Sequence, residues 1–163
     1  MSGEPERVYK ILDNLKIEYK AFTHRPVYTI GETEKYVPET KSTHCKNLFL
    51  RDNKGKNHFL ILLTAKKNAD LKQLSDKIKS SRLSFASTRR LEKYLKLEQG
   101  AVSPFGLIND THNEVQVIID KDVKKQDEIT FHPNVNNESV TISYGDFIKF
   151  LDWVENDYQF VEI

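Results

Sequence analysis

The stretch HCKNLFLRDNKGKNHFLILLT, residues 44–64, decides the fold because it predicts two β-strands joined by a tight turn. Residues 46–51 and 58–64 are the strand-like runs, and DNKG between them is the turn signal. Side chains alternate along a strand, so every second residue faces the same side. One predicted face holds Lys46, Leu48 and Leu50, and the other holds Cys45, Asn47, Phe49 and Arg51. An amine therefore shares a row with two leucines.

Two interpretations of Lys46 fit this pattern. The lysine can lie at a sheet edge, with its stem on the leucines and its ammonium group in water. Alternatively, it places a cation in a half-apolar pocket, where the charge acts on an anion or a developing oxyanion. The pattern alone leaves both interpretations open.

The rest of the chain alternates helical and strand-like segments without a regular βαβ order. Helices are predicted at 4–15, 70–78, 87–97 and 144–154, with Ser87 or Thr88 as an N-cap and Gly100 as the end of the third helix. The last helix is expected to bury Phe147, Ile148, Leu151 and either Trp153 or Val154. Further strands are predicted at 17–22, 82–87, 114–120, 128–133 and 139–144, and a proline loop with a brief helix at 24–38. This mixture predicts a single α+β domain spanning residues 1–163, with a mixed, curved sheet and helices around it.

Composition limits the class of protein. A chain of 163 residues, with 38% hydrophobic and 30% charged residues, is typical of one globular domain with a real core. No apolar run reaches the length of a membrane span, and the N-terminal residues lack the apolar core of a secretory signal. The single cysteine excludes an internal disulfide and favours a reducing, cytoplasmic location. One cysteine and scattered histidines predict no metal site, and nothing indicates a cofactor.

Charge is distributed unevenly along the chain. Residues 66–96 contain ten Lys and Arg against three acidic residues, whereas residues 110–163 contain four Lys against twelve acidic residues. Such asymmetry is typical of a basic face that binds a polyanion, although a solvated helix surface produces the same pattern.

Familiar catalytic motifs are missing, since the chain has no phosphate-binding P-loop, dinucleotide fingerprint, HExxH or GxSxG motif. Cys45 follows His44, but neighbouring strand residues face opposite sides, so an inert thiol is the better interpretation. Ser103 precedes a proline, where a serine usually supports a turn. The loop GAVSPFG (100–106) can present backbone N–H groups to a carbonyl or a phosphate, or can be a rigid connector. His132 in FHPN can bind a substrate or be structural.

Three segments in this order, KNLFLRD (46–52), GAVSPFGL (100–107) and FHPN (131–134), resemble the YbaK/prolyl-tRNA synthetase-associated editing domains. HRPVYT (24–29) and LSFAS (83–87) are also similar to segments of this family. The resemblance covers nearly the whole chain and is greatest to the freestanding Ala-tRNA(Pro) deacylases, called ProX, PrdX or ProXp-ala. It implies an α+β domain with a barrel-like sheet, and an enzyme that hydrolyses the ester joining a wrong amino acid to tRNA, without a cofactor.

The resemblance also implies roles for particular residues. The essential lysine of the family falls on Lys46, its neighbour on Asn47, the GxxxP loop on Gly100 to Pro104, and the histidine on His132. A pocket that admits a methyl group and excludes the proline ring would separate alanine from proline. Its expected substrate-binding residues are Val27, Thr29, Ile30, Leu48, Ala101, Val102, Ser103 and Pro104.

The basic segment supplies the expected tRNA contacts, which are Lys66, Lys67, Arg82, Arg89 and Arg90. The expected substrate is tRNA(Pro) mischarged with alanine, with prolyl-tRNA synthetase or an elongation factor as transient partners and no membrane contact. Two alternatives stay open: a deacylase for Cys-tRNA(Pro) or another small misacylated amino acid, and a non-catalytic tRNA-binding or regulatory module.

Overall fold

The hairpin predicted from residues 44–64 forms the centre of the sheet in the computed structural model, which describes residues 4–23, 42–135 and 137–163. Strand β2 (Thr43–Arg51) pairs antiparallel with β3 (His58–Thr64), with Lys46 opposite Leu63 and Leu50 opposite Phe59. The turn between them is closed by the carboxylate of Asp52, which accepts hydrogen bonds from the backbone N–H groups of Lys56 and Asn57. The predicted strands and turn are therefore confirmed.

Six more strands extend the sheet: β1 (Lys20–Thr23), β4 (Ser84–Phe85), β5 (Val115–Asp120), β6 (Glu128–Phe131), β7 (Glu138–Ser143) and β8 (Tyr158–Val161). Their order is β1-β7-β6-β2-β3-β5-β8, with β4 paired to β2 beside this path. The pairs β2–β6, β3–β5 and β5–β8 are parallel and the others are antiparallel. The mixed sheet predicted from the sequence is confirmed, but it is open: among the described strands, β1 and β8 are its two ends.

Among the described residues, four α-helices accompany the sheet: α1 (Glu4–Asn14), α2 (Leu71–Ile78), α3 (Thr88–Leu95) and α4 (Tyr144–Val154). Short 3-10 helices lie at Pro104–Asn109 and Val123–Lys125. Ser87 is the N-cap of α3, because its hydroxyl accepts from the backbone N–H of Arg90. The helices predicted at 4–15, 70–78, 87–97 and 144–154 are each present, and the brief helix predicted within 24–38 lies outside the described residues.

The two faces of the hairpin pack into two hydrophobic clusters, as strand alternation predicts. Phe49 belongs to the larger cluster, which also contains the inner faces of α1, α3 and α4, and Cys45 packs against it. Leu50 belongs to the smaller cluster beneath α2, and Leu48 packs against that one. By the same alternation, the side chain of Lys46 is on the face of β2 that packs into the smaller cluster, and the side chain of Asn47 is on the face that packs into the larger cluster.

Several local predictions were wrong. Gly100 does not end α3, because Lys96 adopts the left-handed conformation (φ 53°) and closes the helix earlier. The first strand begins at Lys20, since Ile17 continues the turn after α1 by donating to the carbonyl of Leu12. Of the two alternatives at the end of α4, Val154 packs against the larger cluster and Trp153 is 47% exposed, while Phe150 is a further core residue that was not predicted. Strand β8 was not predicted.

Candidate active site

The described strands leave a gap along one edge of β2, and a cavity opens beside this gap. Strand β6 pairs with this edge only at Thr43 and His44, and β4 pairs with it only at Leu50 and Arg51. The carbonyl of Phe49 accepts from the N–H of Ala86, so the backbone groups of Phe49 point toward this edge. By the two-residue repeat of an antiparallel pair, those of Asn47 point the same way. None of the described strands covers the edge at Asn47.

The cavity beside this gap has a volume of about 580 Å³, within the range of small-molecule sites. Its walls come from β2, the segment between β4 and α3, the loop before the 3-10 helix, and the ends of β6 and β7. The lining residues are 44–49, 85–88, Leu91, Gln99, Gly100, Val102, 130–132 and Ser139. Six of the predicted site residues therefore meet at one cavity: Lys46, Asn47, Leu48, Gly100, Val102 and His132.

Asn47 brings an unsatisfied acceptor to this cavity. Its side-chain Oδ1 is buried and accepts no hydrogen bond from any described residue. A buried amide oxygen without a donor costs about 1–3 kcal/mol, so such groups are rare unless a ligand or water completes them. Asn47 is thus ready to receive an N–H or O–H group of a bound molecule.

Lys46 borders the same cavity from the other face of β2. Its Nζ lies 3.2 Å from Oδ1 of Asn68, an uncharged partner in the loop after β3. Partial burial lowers the pKa of Lys46 below its ordinary value, because desolvation disfavours the charged form. The ammonium group is therefore partly desolvated, and no described carboxylate forms an ion pair with it, which strengthens its attraction for an anion.

The loop after α3 contributes Gly100 and Val102 to the cavity. Gly100 has φ 89°, a conformation that favours glycine, and it follows a turn in which Ala101 N–H donates to the carbonyl of Glu98. The remaining loop residues lie in the core instead: Ala101, Ser103 and Pro104 are buried away from the cavity. Ser103 caps the 3-10 helix by accepting from Phe105 N–H, which is the turn role that a serine before proline suggests.

His132 stands on the opposite wall with a defined orientation. Its Nδ1 is 2.9 Å from the carbonyl oxygen of Glu138. A carbonyl only accepts, so Nδ1 carries a proton and, in the neutral ring, Nε2 is the acceptor nitrogen. Thr130, two residues before His132, also lines the cavity, and its Oγ1 lies 2.6 Å from the hydroxyls of both Ser42 and Thr141. Sequence inspection missed Thr130, because a threonine inside a strand carries no special signal.

Cys45 lines the cavity but is a poor nucleophile. Burial, together with the charge of Asp120, raises the pKa of its thiol to about 12, so the thiol stays protonated near neutral pH. The structure supports the inert-thiol interpretation, and water is the remaining nucleophile for any hydrolysis at this site.

The predicted tRNA-binding residues fall into two groups. Lys66, Arg82 and Arg89 are exposed. Lys67 forms ion pairs with Asp120, at 2.8 Å, and with Asp122. Arg90 donates from Nη1 to the carbonyl of Gly55 and to Nε2 of His58, at 3.2 and 3.0 Å. Lys67 and Arg90 therefore have structural partners, and we leave both out of the proposed tRNA surface.

Some predictions lie elsewhere or concern absences. Val27, Thr29 and Ile30 lie outside the described residues. Within the described ranges, no three His, Cys, Asp or Glu side chains gather as metal ligands do. Among the helices that the structure describes, none has both the length and the apolar character that crossing a membrane needs.

Fold and site together define a single-domain α+β protein whose cavity offers a cation, an unpaired amide oxygen and a glycine turn. The sequence profile of the aminoacyl-tRNA editing domain matches residues 24–150, so the chain belongs to this family. It is 47% identical, over 93% of each chain, to the prolyl-tRNA editing protein ProX of Acetoanaerobium sticklandii.

More distant relatives share the fold. The multifunctional Ser/Thr-tRNA deacylase ProXp-y of Escherichia coli K12 is 26% identical, over 88% of this chain and 86% of that one. The crystal structure of a putative trans-editing enzyme for prolyl tRNA synthetase superposes with a TM-score of 0.74 at 14% identity, covering 99% and 97% of the two chains.

Proposed function

We propose that this protein hydrolyses the ester of mischarged Ala-tRNA(Pro) and spares Pro-tRNA(Pro). The observation that carries the proposal is the convergence of Lys46, Asn47, Gly100 and His132 on one cavity, where the described thiol, Cys45, is not activated as a nucleophile. The 47% identity to a prolyl-tRNA editing protein supports tRNA(Pro) as the carrier of the substrate.

The reaction needs little covalent help from the protein. Water attacks the carbonyl carbon of the aminoacyl ester, the bond from that carbon to the ribose oxygen breaks, and the ribose oxygen takes up a proton. The products are free alanine and tRNA with an intact terminal ribose. An aminoacyl ester is already activated, so positioning the water and stabilising the oxyanion supply most of the acceleration.

The described residues divide this work among them. Lys46 holds the phosphate of the terminal nucleotide or the ester oxygen with its unmatched charge. The loop at Gly100 brings backbone N–H groups toward the developing oxyanion, where a side chain would obstruct them. Oδ1 of Asn47 accepts from the α-ammonium group of the amino acid, which is a donor that satisfies the orphaned oxygen. His132 orients a hydrogen-bonding ring nitrogen on the facing wall.

The cavity is large enough for more than an amino acid. A volume of about 580 Å³ suits an aminoacyl group together with the nucleoside that carries it. Selection of alanine over proline then depends on a smaller subsite for the side chain, where a methyl group fits and the proline ring clashes. Action in trans implies only transient meetings with prolyl-tRNA synthetase or an elongation factor.

A deacylation panel tests the proposal. We expect rapid loss of Ala from tRNA(Pro) and survival of Pro-tRNA(Pro) in the same assay, with Cys- and Ser-charged tRNA(Pro) as the comparison. Faster hydrolysis of Ser-tRNA(Pro) would indicate a specificity closer to that of the Ser/Thr-tRNA deacylase relative. Loss of Pro with Ala untouched, or no hydrolysis of any of the four, would refute the proposal.

A further inference from the structure

An exposed aromatic ring stands at the rim of the cavity. Phe85 is 63% exposed, and in the described part of the chain only Trp153 is a comparably exposed large hydrophobic residue. A single exposed apolar side chain is common and needs no explanation by itself. What distinguishes Phe85 is that it is one of the residues lining the cavity that holds Lys46, Asn47 and Gly100.

The backbone holds this ring in a fixed place. Phe85 lies opposite Leu50 in the pairing of β4 with β2, and the next residue, Ala86, donates its N–H to the carbonyl of Phe49 at 2.9 Å. Leu83 is buried on one side, and α3 begins on the other with its Ser87 cap. An aromatic ring with few rotatable bonds on such a frame loses little entropy when a flat ligand lies on it.

The charges near Phe85 favour a nucleic acid. Arg82 and Arg89 are exposed on either side of it along the chain, and neither position is followed by an acidic residue until Glu92. Trp153 has the opposite setting: it lies on α4 next to Asp152, close to Glu155, and its ring packs on Phe150 with centroids 6.3 Å apart. Phosphates would be attracted to the first ring and repelled near the second.

Building on the proposed function, we infer that Phe85 is a stacking platform for the unpaired base of the aminoacylated terminal nucleotide of tRNA. The ester to be cleaved is on the ribose of that nucleotide, so its base lies one sugar away from the reacting carbonyl. With the ester between Lys46 and Gly100, the base falls at the rim of the cavity. Single-stranded bases stack on exposed aromatic rings regardless of sequence, and basic residues nearby hold the backbone.

The test measures binding without chemistry, using an uncharged RNA hairpin whose single-stranded 3′ tail ends in adenosine. Phe85→Ala is expected to weaken binding about 5- to 150-fold, the range that stacking of one base supports. On the same hairpin with an abasic terminal nucleotide, the wild-type protein should bind equally weakly and Phe85→Ala should cause no further loss. Phe85→Trp should preserve binding, and Phe85→Leu, which keeps apolar bulk without a π-face, should not.

Trp153→Ala is the matched control, since it removes an exposed aromatic residue outside the cavity and should bind like the wild type. Phe85 is exposed, so melting curves of all Phe85 variants should match that of the wild type. Binding by Phe85→Ala within twofold of the wild type would overturn the inference, as would equal binding by Phe85→Leu and Phe85→Trp.

Deacylation of Ala-tRNA(Pro) at subsaturating concentration separates this inference from the proposed function. A Phe85 effect on RNA binding, with no hydrolysis by the wild type, would leave the platform standing and remove the proposed reaction. If the wild type hydrolyses Ala-tRNA(Pro) and Phe85→Ala hydrolyses it equally fast, the proposed reaction stands and the stacking platform is refuted.

Discussion

Two lysines at the same end of the β2–β3 hairpin are in contrasting environments. Lys46 lies near the start of β2, and Lys67 follows the end of β3. Lys67 contacts the carboxylates of Asp120 and Asp122, and these hydrogen bonds raise its pKa. Lys46 donates to the amide oxygen of Asn68, its hydrogen-bond partner among the described residues, and burial lowers the pKa of Lys46.

The different partners of the two lysines indicate that Lys67 serves the stability of the fold and Lys46 serves function. Lys67 neutralises a carboxylate whose side chain is only 1% exposed, so its charge is already committed to the fold. Lys46 gives the fold no ion pair among the described residues and keeps its charge available for a substrate. A net count of basic residues treats the two lysines as equal, whereas their partners assign them opposite roles.

The largest expected effect is on catalysis at Lys46. Lys46→Ala should slow single-turnover deacylation of Ala-tRNA(Pro) about 100- to 1,000-fold, as loss of a preorganised charge typically does. Its melting curve should be unchanged, because removing a partly desolvated amine relieves a cost. Lys46→Arg should rescue poorly, since a planar guanidinium group does not replace a compact ammonium group. A wild-type rate for Lys46→Ala would show that this lysine is only an edge residue.

Lys67→Ala should act on stability instead. We expect the free energy of unfolding to fall by about 2 kcal/mol, less than for a fully buried pair because Lys67 is 30% exposed. Denaturant titration measures this, with the exposed neighbour Lys66→Ala as the control. The rate of deacylation by folded Lys67→Ala should stay near that of the wild type, and a selective loss of rate would break the contrast with Lys46.

The same ion pairs predict a pH window. The pKa of Lys67 is raised above 10.5, so its contribution to stability is fully present below about pH 10.5 and is lost as pH rises through the folded-state pKa. The pKa of Asp122 is lowered below 3.8, mainly by Lys67, so that contribution is present above about pH 3.8 and is lost in stronger acid. Stability curves for wild type and Lys67→Ala should therefore converge at both extremes.

A single substitution can give Lys46 a carboxylate partner like those of Lys67. Asn68→Asp would place a carboxylate about where Oδ1 now lies, 3.2 Å from Nζ of Lys46. That carboxylate would compete with an anionic substrate, and we expect kcat/KM to fall about tenfold. Asn68→Ala, which removes the amide without adding charge, is the matched control and should lose much less. Equal activity of Asn68→Asp and Asn68→Ala would mean that Lys46 functions as well beside a carboxylate as without one.

A smaller effect is expected at the exposed arginines. Replacing Arg82 and Arg89 together with alanine should weaken tRNA binding several-fold and reduce the slope of log affinity against log salt concentration by about 2. Replacing Lys10 and Lys149, which are exposed on α1 and α4, is the control. An unchanged salt slope in the arginine variant would place the RNA on another face.

The smallest effect is expected at Cys45, next to Lys46 in the sequence. Cys45→Ala should deacylate within twofold of the wild type, because a thiol with a pKa of about 12 supplies almost no thiolate at neutral pH. Slow alkylation by iodoacetamide at pH 7.5 checks the same point. Complete inactivation of Cys45→Ala with an unchanged fold would show that Lys46 serves a thiolate rather than the substrate.

The periodic segments explain why much of the fold was predictable. In β2 the alternation of Lys46, Asn47, Leu48 and Phe49 determines which side chains share a face, and the structure confirms it. The cap of α3 was recognisable at Ser87 or Thr88, because a short polar side chain before an amphipathic run satisfies the first free N–H groups, and the structure places it at Ser87. Strand β8 escaped because YQFV is too short to show a period.

The site was only partly predictable. Lys46, Asn47, Gly100 and His132 stand out as motif residues, and all four line one cavity. Phe85 was overlooked, although a large aromatic residue between Ser84 and Ala86 in a basic segment is a usable signal. Lys67 and Arg89 look alike in the sequence, and only long-range contacts with Asp120 and Asp122 distinguish them.

By itself the sequence determined the strand faces, the helix starts and the uneven charge, because each depends on residues a few positions apart. Tertiary structure alone decided which charges stay unmatched and where β2 has an uncovered edge. Those features arise when β4 and β6 end on either side of Asn47, from positions about 40 and 80 residues away along the chain. Local sequence carries no record of where a distant strand ends, and the cavity is the space left between those ends.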